Sequence, residues 1–181
     1  MKLIKIIATV GIVLSVSMQS TNADITFNHT IEGTPLDLSV AKSATASNSI
    51  EADGFDRFKQ SGSNPYNCNA HAIEAGHSLF LSACSGCHGH EAEGKLGPGL
   101  ADDYWTYPQN ATDKGLFETL FGGAQGMMGP QYVNLSNDEM LQIMAWLRSI
   151  YQGKPKKAKW LRHPDHCTDT STEASKPQAS H

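Results

Sequence analysis

Cys84-Ser85-Gly86-Cys87-His88 is a C-x-x-C-H run, and its reading decides the fold. Two thiols one helical turn apart can each form a thioether with a haem vinyl group, and the next residue, His88, then falls under the porphyrin as an axial iron ligand. A thioredoxin-like C-x-x-C would follow a strand in an α/β pattern, which this chain lacks. A zinc site would need a second ligand pair of similar spacing, and Cys68 with Cys167 does not supply one. The motif therefore predicts one covalently attached haem c per chain. Ten residues past the histidine lies Gly97-Pro98-Gly99-Leu100. A carbonyl at Pro98 can take the hydrogen bond from the second imidazole nitrogen of His88, and Leu100 can pack on the haem face.

The sixth iron position is open to His, Met or no protein ligand. An open position means ligand binding or catalysis, a filled one electron transfer. Gly126-Met127-Met128-Gly129-Pro130 sets two methionines in a glycine-rich loop, where a thioether suits haem iron better than it suits a core. Met140 and Met144 read as core filler instead. His90 is too near His88 to cross the haem, and His71 and His77 share a helix and read as surface residues.

Outside the motif the pattern is helical. Cys68 or Asn69 opens a helix with Ile73, Gly76, Leu79, Phe80 and Ala83 on one face, and the small Gly76 allows a close helix approach. Thr112 caps a second, carrying Leu116, Phe117, Leu120 and Phe121 and ending at Gly122-Gly123. Ser136-Asn137-Asp138-Glu139 is a capping box opening a third that runs to about Tyr151. The Gly/Pro-rich loops between these helices are long for a small helical protein and suit one wrapped around a large cofactor.

The 181 residues allow one ordinary domain with extensions. Residues 1–23 read as a secretory signal peptide, with basic Lys2 and Lys5, an apolar run over 6–16 and a cut after Ala23. The apolar run is too short to span a bilayer, so no membrane span is expected after cleavage, although an uncleaved anchor helix is the competing reading. Cleavage takes the net charge from −4 to −6, which disfavours nucleic acid as a partner. Residues 24–67 are expected to be an irregular extension, with short extended pieces at Ile25–Phe27 and Pro35–Leu38 and a boundary turn at Ser61–Pro65. Residues 68–153 form the haem domain, and 154–181 a basic then polar tail. Residues 24–153 hold 6 basic and 15 acidic side chains, whereas Lys154, Lys156, Lys157, Lys159 and Arg162 crowd five cations into nine positions. That cluster reads as a solvated tail or as a docking patch.

The chain also resembles the class I cytochromes c, and within them the cytochrome c-L family. The resemblance rests on Cys-Ser-Gly-Cys-His-Gly-His at 84–90, Glu-Gly-Lys-Leu-Gly-Pro-Gly-Leu at 93–100 and Asp-Asp-Tyr-Trp-Thr-Tyr-Pro at 102–108. Gly-Leu-Phe-Glu-Thr-Leu-Phe-Gly-Gly-Ala at 115–124, Gly-Met-Met-Gly-Pro at 126–130 and Met-Ala-Trp-Leu-Arg at 144–148 complete it, so that it spans about residues 64 to 161. It implies an all-α, mono-haem class I cytochrome c fold with an irregular N-terminal extension and a C-terminal tail. By position, Cys84 and Cys87 would hold the haem, His88 would be the proximal ligand and Met128 the distal one, with Met127 second. Some members place a competing histidine three residues past that methionine; Gln131 stands there in this chain, which favours His/Met ligation. Trp105 and Tyr104 would line the haem edge.

The implied function is electron transfer rather than catalysis. A periplasmic protein would take single electrons from a pyrroloquinoline-quinone methanol dehydrogenase, of calcium or lanthanide type, and pass them to another cytochrome c or an oxidase. The alternative is a general periplasmic carrier serving other dehydrogenases. In an oxidising compartment Cys68 and Cys167 would pair, closing a loop for a gain of up to roughly 4–5 kcal/mol.

Overall fold

In the computed structural model, which describes residues 24–43 and 50–162, every long helix starts at a side-chain cap. Asn69 accepts from the Ala72 N–H ahead of α2 (Ala70–Ala83), and Thr112 from the Gly115 N–H ahead of α4 (Asp113–Gly122). Ser136 and Glu139 form the full capping box of α5 (Asn137–Ser149). These are the three helices read from the sequence. The single-turn helix α3 (Ser85–His88) follows α2 directly. The fold is all-helical, with no strand among the described residues, and the remaining turns are short 3-10 segments.

Helix α5 is the hub, contacted by α1 (Gly54–Ser61), α2 and α4. Its Met140, Leu141, Ile143 and Met144 are wholly buried. The α2–α5 crossing depends on Gly76: a Cβ at that position would lie 1.9 Å from the Gln142 carbonyl oxygen, so only glycine lets the two backbones approach this closely. On α4, Leu116, Phe117, Leu120 and Phe121 all face inward.

The N-terminal region differs from the expected irregular extension. Residues 54–61 form a helix, α1 (Gly54–Ser61), which the sequence hides because its only apolar residues beyond glycine are Phe55 and Phe58 among charged neighbours. Lys59 pairs with Asp56 one turn away, at 2.9 Å, and with Asp24. Phe27, Phe58 and Phe117 meet with ring centroids 4.9 to 5.6 Å apart, so this layer belongs to the main core. Ile25–Phe27 and Pro35–Leu38 do not pair as strands. They flank a tight turn whose only bridge is Asn28 to Pro35.

The Ser61–Pro65 turn exists, with Gly62 in the left-handed conformation (φ 71°), but it is packed into the body rather than forming an exposed boundary. Asn64 is 1% exposed; its amide donates to the Leu141 carbonyl at 2.7 Å, and its backbone N–H to Asp113 at 3.0 Å. Asp113 also receives Asn67 Nδ2 at 2.8 Å and Arg148 Nε at 2.9 Å. Arg148 Nη2 donates to the Asn110 and Thr112 carbonyls, both at 3.0 Å. A buried ion pair hydrogen-bonded in this way holds the starts of α2 and α4 to the end of α5.

The start of the basic segment is not a free tail. Residues Pro155–Lys157 and Lys159–Arg162 form 3-10 turns, with Ala158 and Trp160 buried against the body. The predicted signal peptide, the later tail and Cys167 lie outside the described residues. Cys68 is disulfide-bonded.

Candidate functional site

The CXXCH run turns as tightly as its spacing predicts. Cys84 ends α2 with its N–H on the Phe80 carbonyl at 2.8 Å, and the N–H groups of Cys87 and His88 both return to the Cys84 carbonyl, at 3.1 and 3.0 Å. Both thiols and the His88 ring therefore border one cavity of about 470 Å³. Cys87 is exposed and Cys84 half-buried. Burial, reinforced by the neighbouring Cys87, pushes the Cys84 thiol up to about 11, so it is S–H at neutral pH, the form that adds across a vinyl group.

Backbone hydrogen bonds fold residues 89–100 back over the motif. Gly94 N–H reaches the His88 carbonyl at 2.7 Å, Gly97 N–H the Cys87 carbonyl at 2.8 Å, and Leu100 N–H the Ala92 carbonyl at 2.8 Å. This brings the Pro98 carbonyl to 2.9 Å from His88 Nδ1. A carbonyl only accepts, so Nδ1 carries the proton and Nε2 keeps its lone pair. Gly97 has no room for a side chain: a Cβ would come within 2.6 Å of the His88 ring.

The other predicted site residues converge on the same cavity. Leu100, Trp105, Met127 and Met128 all border it. The two methionines differ: Met128 is half-buried and packs on the core, whereas Met127 is 81% exposed. Their loop is closed by the Ala124 N–H on the Met128 carbonyl at 2.8 Å, with Gly123 and Gly126 at φ of 81° and 88°. Gln131 ties itself to that loop through the Gly129 carbonyl at 2.7 Å. His71 is exposed as read, while His77 stacks on Trp146 with centroids 4.8 Å apart.

Tyr107 was not singled out from the sequence. Its hydroxyl accepts from the Gln125 N–H at 3.0 Å, joining the aromatic loop to the methionine loop across the cavity mouth. Nothing in its spacing marks it apart from Tyr104 three residues earlier, since the contact is with a loop 18 residues along the chain. Leu96, Tyr104 and Met127 form an exposed apolar rim.

These walls fit a covalently held haem. The cavity is mainly apolar and of cofactor size. It presents an imidazole with a free Nε2, a thioether on a separate loop and two thiols one turn apart. The indole Nε1 of Trp105 is buried without a hydrogen-bond partner, a donor that awaits an acceptor. Among the described residues no group of three or more His, Cys, Asp or Glu side chains gathers to hold a separate metal ion.

The comparisons agree with this geometry. Residues 71–147 match the family model for cytochrome c oxidase, cbb3-type, subunit III. The chain is 50% identical over 137 residues to cytochrome c-L of Methylorubrum extorquens, an alignment covering 76% of this chain and 68% of that protein. The crystal structure of cytochrome cL from Methylophaga aminisulfidivorans superposes with a TM-score of 0.70 at 56% identity, over 75% of this chain and 87% of the other. That of cytochrome cL from Hyphomicrobium denitrificans gives 0.69 at 43% identity, over 86% and 87%. With its class I cytochrome c fold and a site built for covalent haem c, the chain belongs to the cytochrome c-L family, which are electron-transfer proteins rather than enzymes.

Proposed function

We propose that this protein is a periplasmic one-electron carrier that accepts electrons from pyrroloquinoline-quinone-dependent methanol dehydrogenase and passes them to a downstream cytochrome c or oxidase. Cys84 and Cys87 would hold one haem per chain through thioethers, and His88 and Met128 would be the ligands of its iron. The observation that carries this reading is that His88 and the Met128 loop line one largely apolar cavity. When bound there, the haem iron supplies reversible one-electron redox chemistry.

The chain's own residues set how that chemistry runs. The Pro98 carbonyl fixes the His88 ring and its tautomer, leaving Nε2 as the electron-pair donor. With both His88 and Met128 as ligands the iron would have no open site for substrate, which suits a carrier. Leu96, Tyr104 and Met127 offer an apolar contact at the mouth, consistent with small, transient encounters. The Cys68 disulfide suits an oxidising compartment, and Cys167 is its proposed partner. Residues 1–23 then act as the export signal, and no helix among the described residues is long and apolar enough to cross a membrane.

Anaerobic stopped-flow mixing of the oxidised holoprotein with methanol dehydrogenase and methanol tests the assignment. Fast appearance of the reduced-haem bands, dependent on both enzyme and methanol, is the expected result. A normal c-type spectrum without reduction, against a dehydrogenase proven active with a dye, would overturn the donor. Equal reduction by unrelated quinone dehydrogenases would replace it with a general carrier.

A further inference from the structure

We propose that residues 154–162 form a fixed cationic docking surface beside the cavity mouth, matched to a carboxylate-rich face on a protein redox partner. The inference rests on the electron-carrier reading and adds the chemistry of one partner's face.

The segment is held in place rather than trailing. Trp160 is 3% exposed and Ala158 fully buried. The Trp160 ring lies 3.8 Å from the Arg148 guanidinium carbon. It also stands edge-on to Tyr151 at 4.8 Å and to Trp105 at 6.0 Å, and Trp105 borders the cavity. The start of the segment is pinned by the Gln152 N–H on the Ala101 carbonyl at 2.7 Å and by the Tyr151 hydroxyl on the Lys154 carbonyl at 3.1 Å. Arg162 reaches back to the Lys156 carbonyl, tying the two 3-10 turns together.

Around this buried anchor Lys154, Lys156, Lys157, Lys159 and Arg162 are all exposed. None of the five forms an ion pair among the described residues, whereas four of the six body cations do, Arg57, Lys59, Lys114 and Arg148, with Lys42 and Lys95 the exceptions. Asp113 lines a surface cleft with Lys159 and Arg162 but is already paired with Arg148, and Asp103 lies beside Gly153 at the start of the segment. The body that carries this patch is otherwise strongly acidic. A positive surface whose buried Trp160 stands against Trp105 of the apolar cavity wall has the anatomy of an interface: dry centre, charged margin. Its charge selects an acidic partner and speeds encounter more than it tightens the complex. A rigid anchor suits a protein that must seat at a fixed distance from the haem better than a fluid membrane.

Stopped-flow oxidation of the reduced, haem-loaded full chain tests this, using hexacyanoferrate(III) as an anionic oxidant and tris(phenanthroline)cobalt(III) as a cationic one. Each takes one electron from the ferrous haem. Lys154→Gln, Lys156→Gln, Lys157→Gln and Lys159→Gln, combined, leave Ala158 and Trp160 intact, and an unchanged haem spectrum checks the fold. At low salt the variant should react roughly tenfold more slowly with the anion and faster with the cation, the two proteins converging at high salt. Poly-L-glutamate, an acidic polypeptide, should slow the wild-type reaction with the anion and leave the variant's unaffected. Salt-independent, equal rates for both proteins would overturn the patch while leaving the carrier intact. Wild-type binding to phosphatidylglycerol vesicles, lost in the variant, with no effect of poly-L-glutamate, would reassign the patch to a membrane. Failure to reduce either oxidant would overturn both readings.

Discussion

The N-terminal layer and the cavity side share one core but close it differently. In the layer, Phe27, Phe55, Phe58 and Phe117 pack ring against ring, and the polypeptide fills its own interior. On the cavity side, loops 89–108 and 123–131 are tied by backbone hydrogen bonds around a space of about 470 Å³ that no side chain fills. Stability is therefore a property of side chains on one side and of a bound group on the other. Substitutions in the two regions should separate into those that move the unfolding curve and those that move the haem.

The largest stability effect is expected from Phe58→Ala, which removes a fully buried ring from the aromatic layer and should cost about 3–5 kcal/mol in denaturant unfolding. The reduced-haem spectrum should not change. A shifted haem band with this variant would break the contrast between the regions. Gly76→Ala comes next, at about 1–3 kcal/mol, because its methyl group forces α2 away from α5. Helix α2 ends at the haem-binding turn, so this variant should also disturb the spectrum, and the two effects should scale together.

Tyr66→Phe sharpens the comparison through pH. Burial, then the hydrogen bond to Asp138, pushes the Tyr66 hydroxyl well above the usual phenol range. Burial likewise raises Asp138, even though it accepts from Tyr66, Gln142 and Ile50. A folded state that keeps a proton the unfolded chain releases has its full stability below the unfolded pKa, and loses it as pH climbs. Unfolding free energy should therefore fall from about pH 10 upward in the wild type, and Tyr66→Phe should flatten that fall while costing about 1–3 kcal/mol at neutral pH. Wild-type stability that holds steady through this range would contradict the assignment. Met128→Ala should cost less stability than Phe58→Ala, yet it should let carbon monoxide bind the reduced haem rapidly. Met127→Ala should not, and the reverse pattern would exchange the two ligands.

What could be read in the sequence follows the same division. The tight turn from Cys84 to His88 and the Pro98 carbonyl on His88 were legible because such contacts join residues at short fixed spacings. The caps at Asn69, Thr112 and Ser136 were legible because capping is local to a turn. Helix α1 and the burial of Asn64 were not. Phe58 finds Phe27 and Phe117, and Asn64 finds Leu141, only through contacts far apart along the chain, which leave no periodic trace in a charged or Ser/Gly-rich stretch. Trp160 was hidden for the same reason, since five cations around one tryptophan read as a solvated tail until Arg148 is seen beneath it.

The placement of the tryptophans gives the molecule a built-in optical gauge. Trp105 borders the cavity, Trp146 packs on Phe80 of its wall at 4.5 Å, and Trp160 lies edge-on to Trp105. With haem bound, all three indoles sit close enough to lose their excitation to the porphyrin, so the native holoprotein should be nearly dark in ultraviolet fluorescence. Trp160 lies far along the chain from Cys84 and Cys87, and should brighten first and most when the segment carrying it lifts away. Emission then reports the lifting of that segment, while haem absorbance reports the iron, so the two could be timed separately in one cuvette.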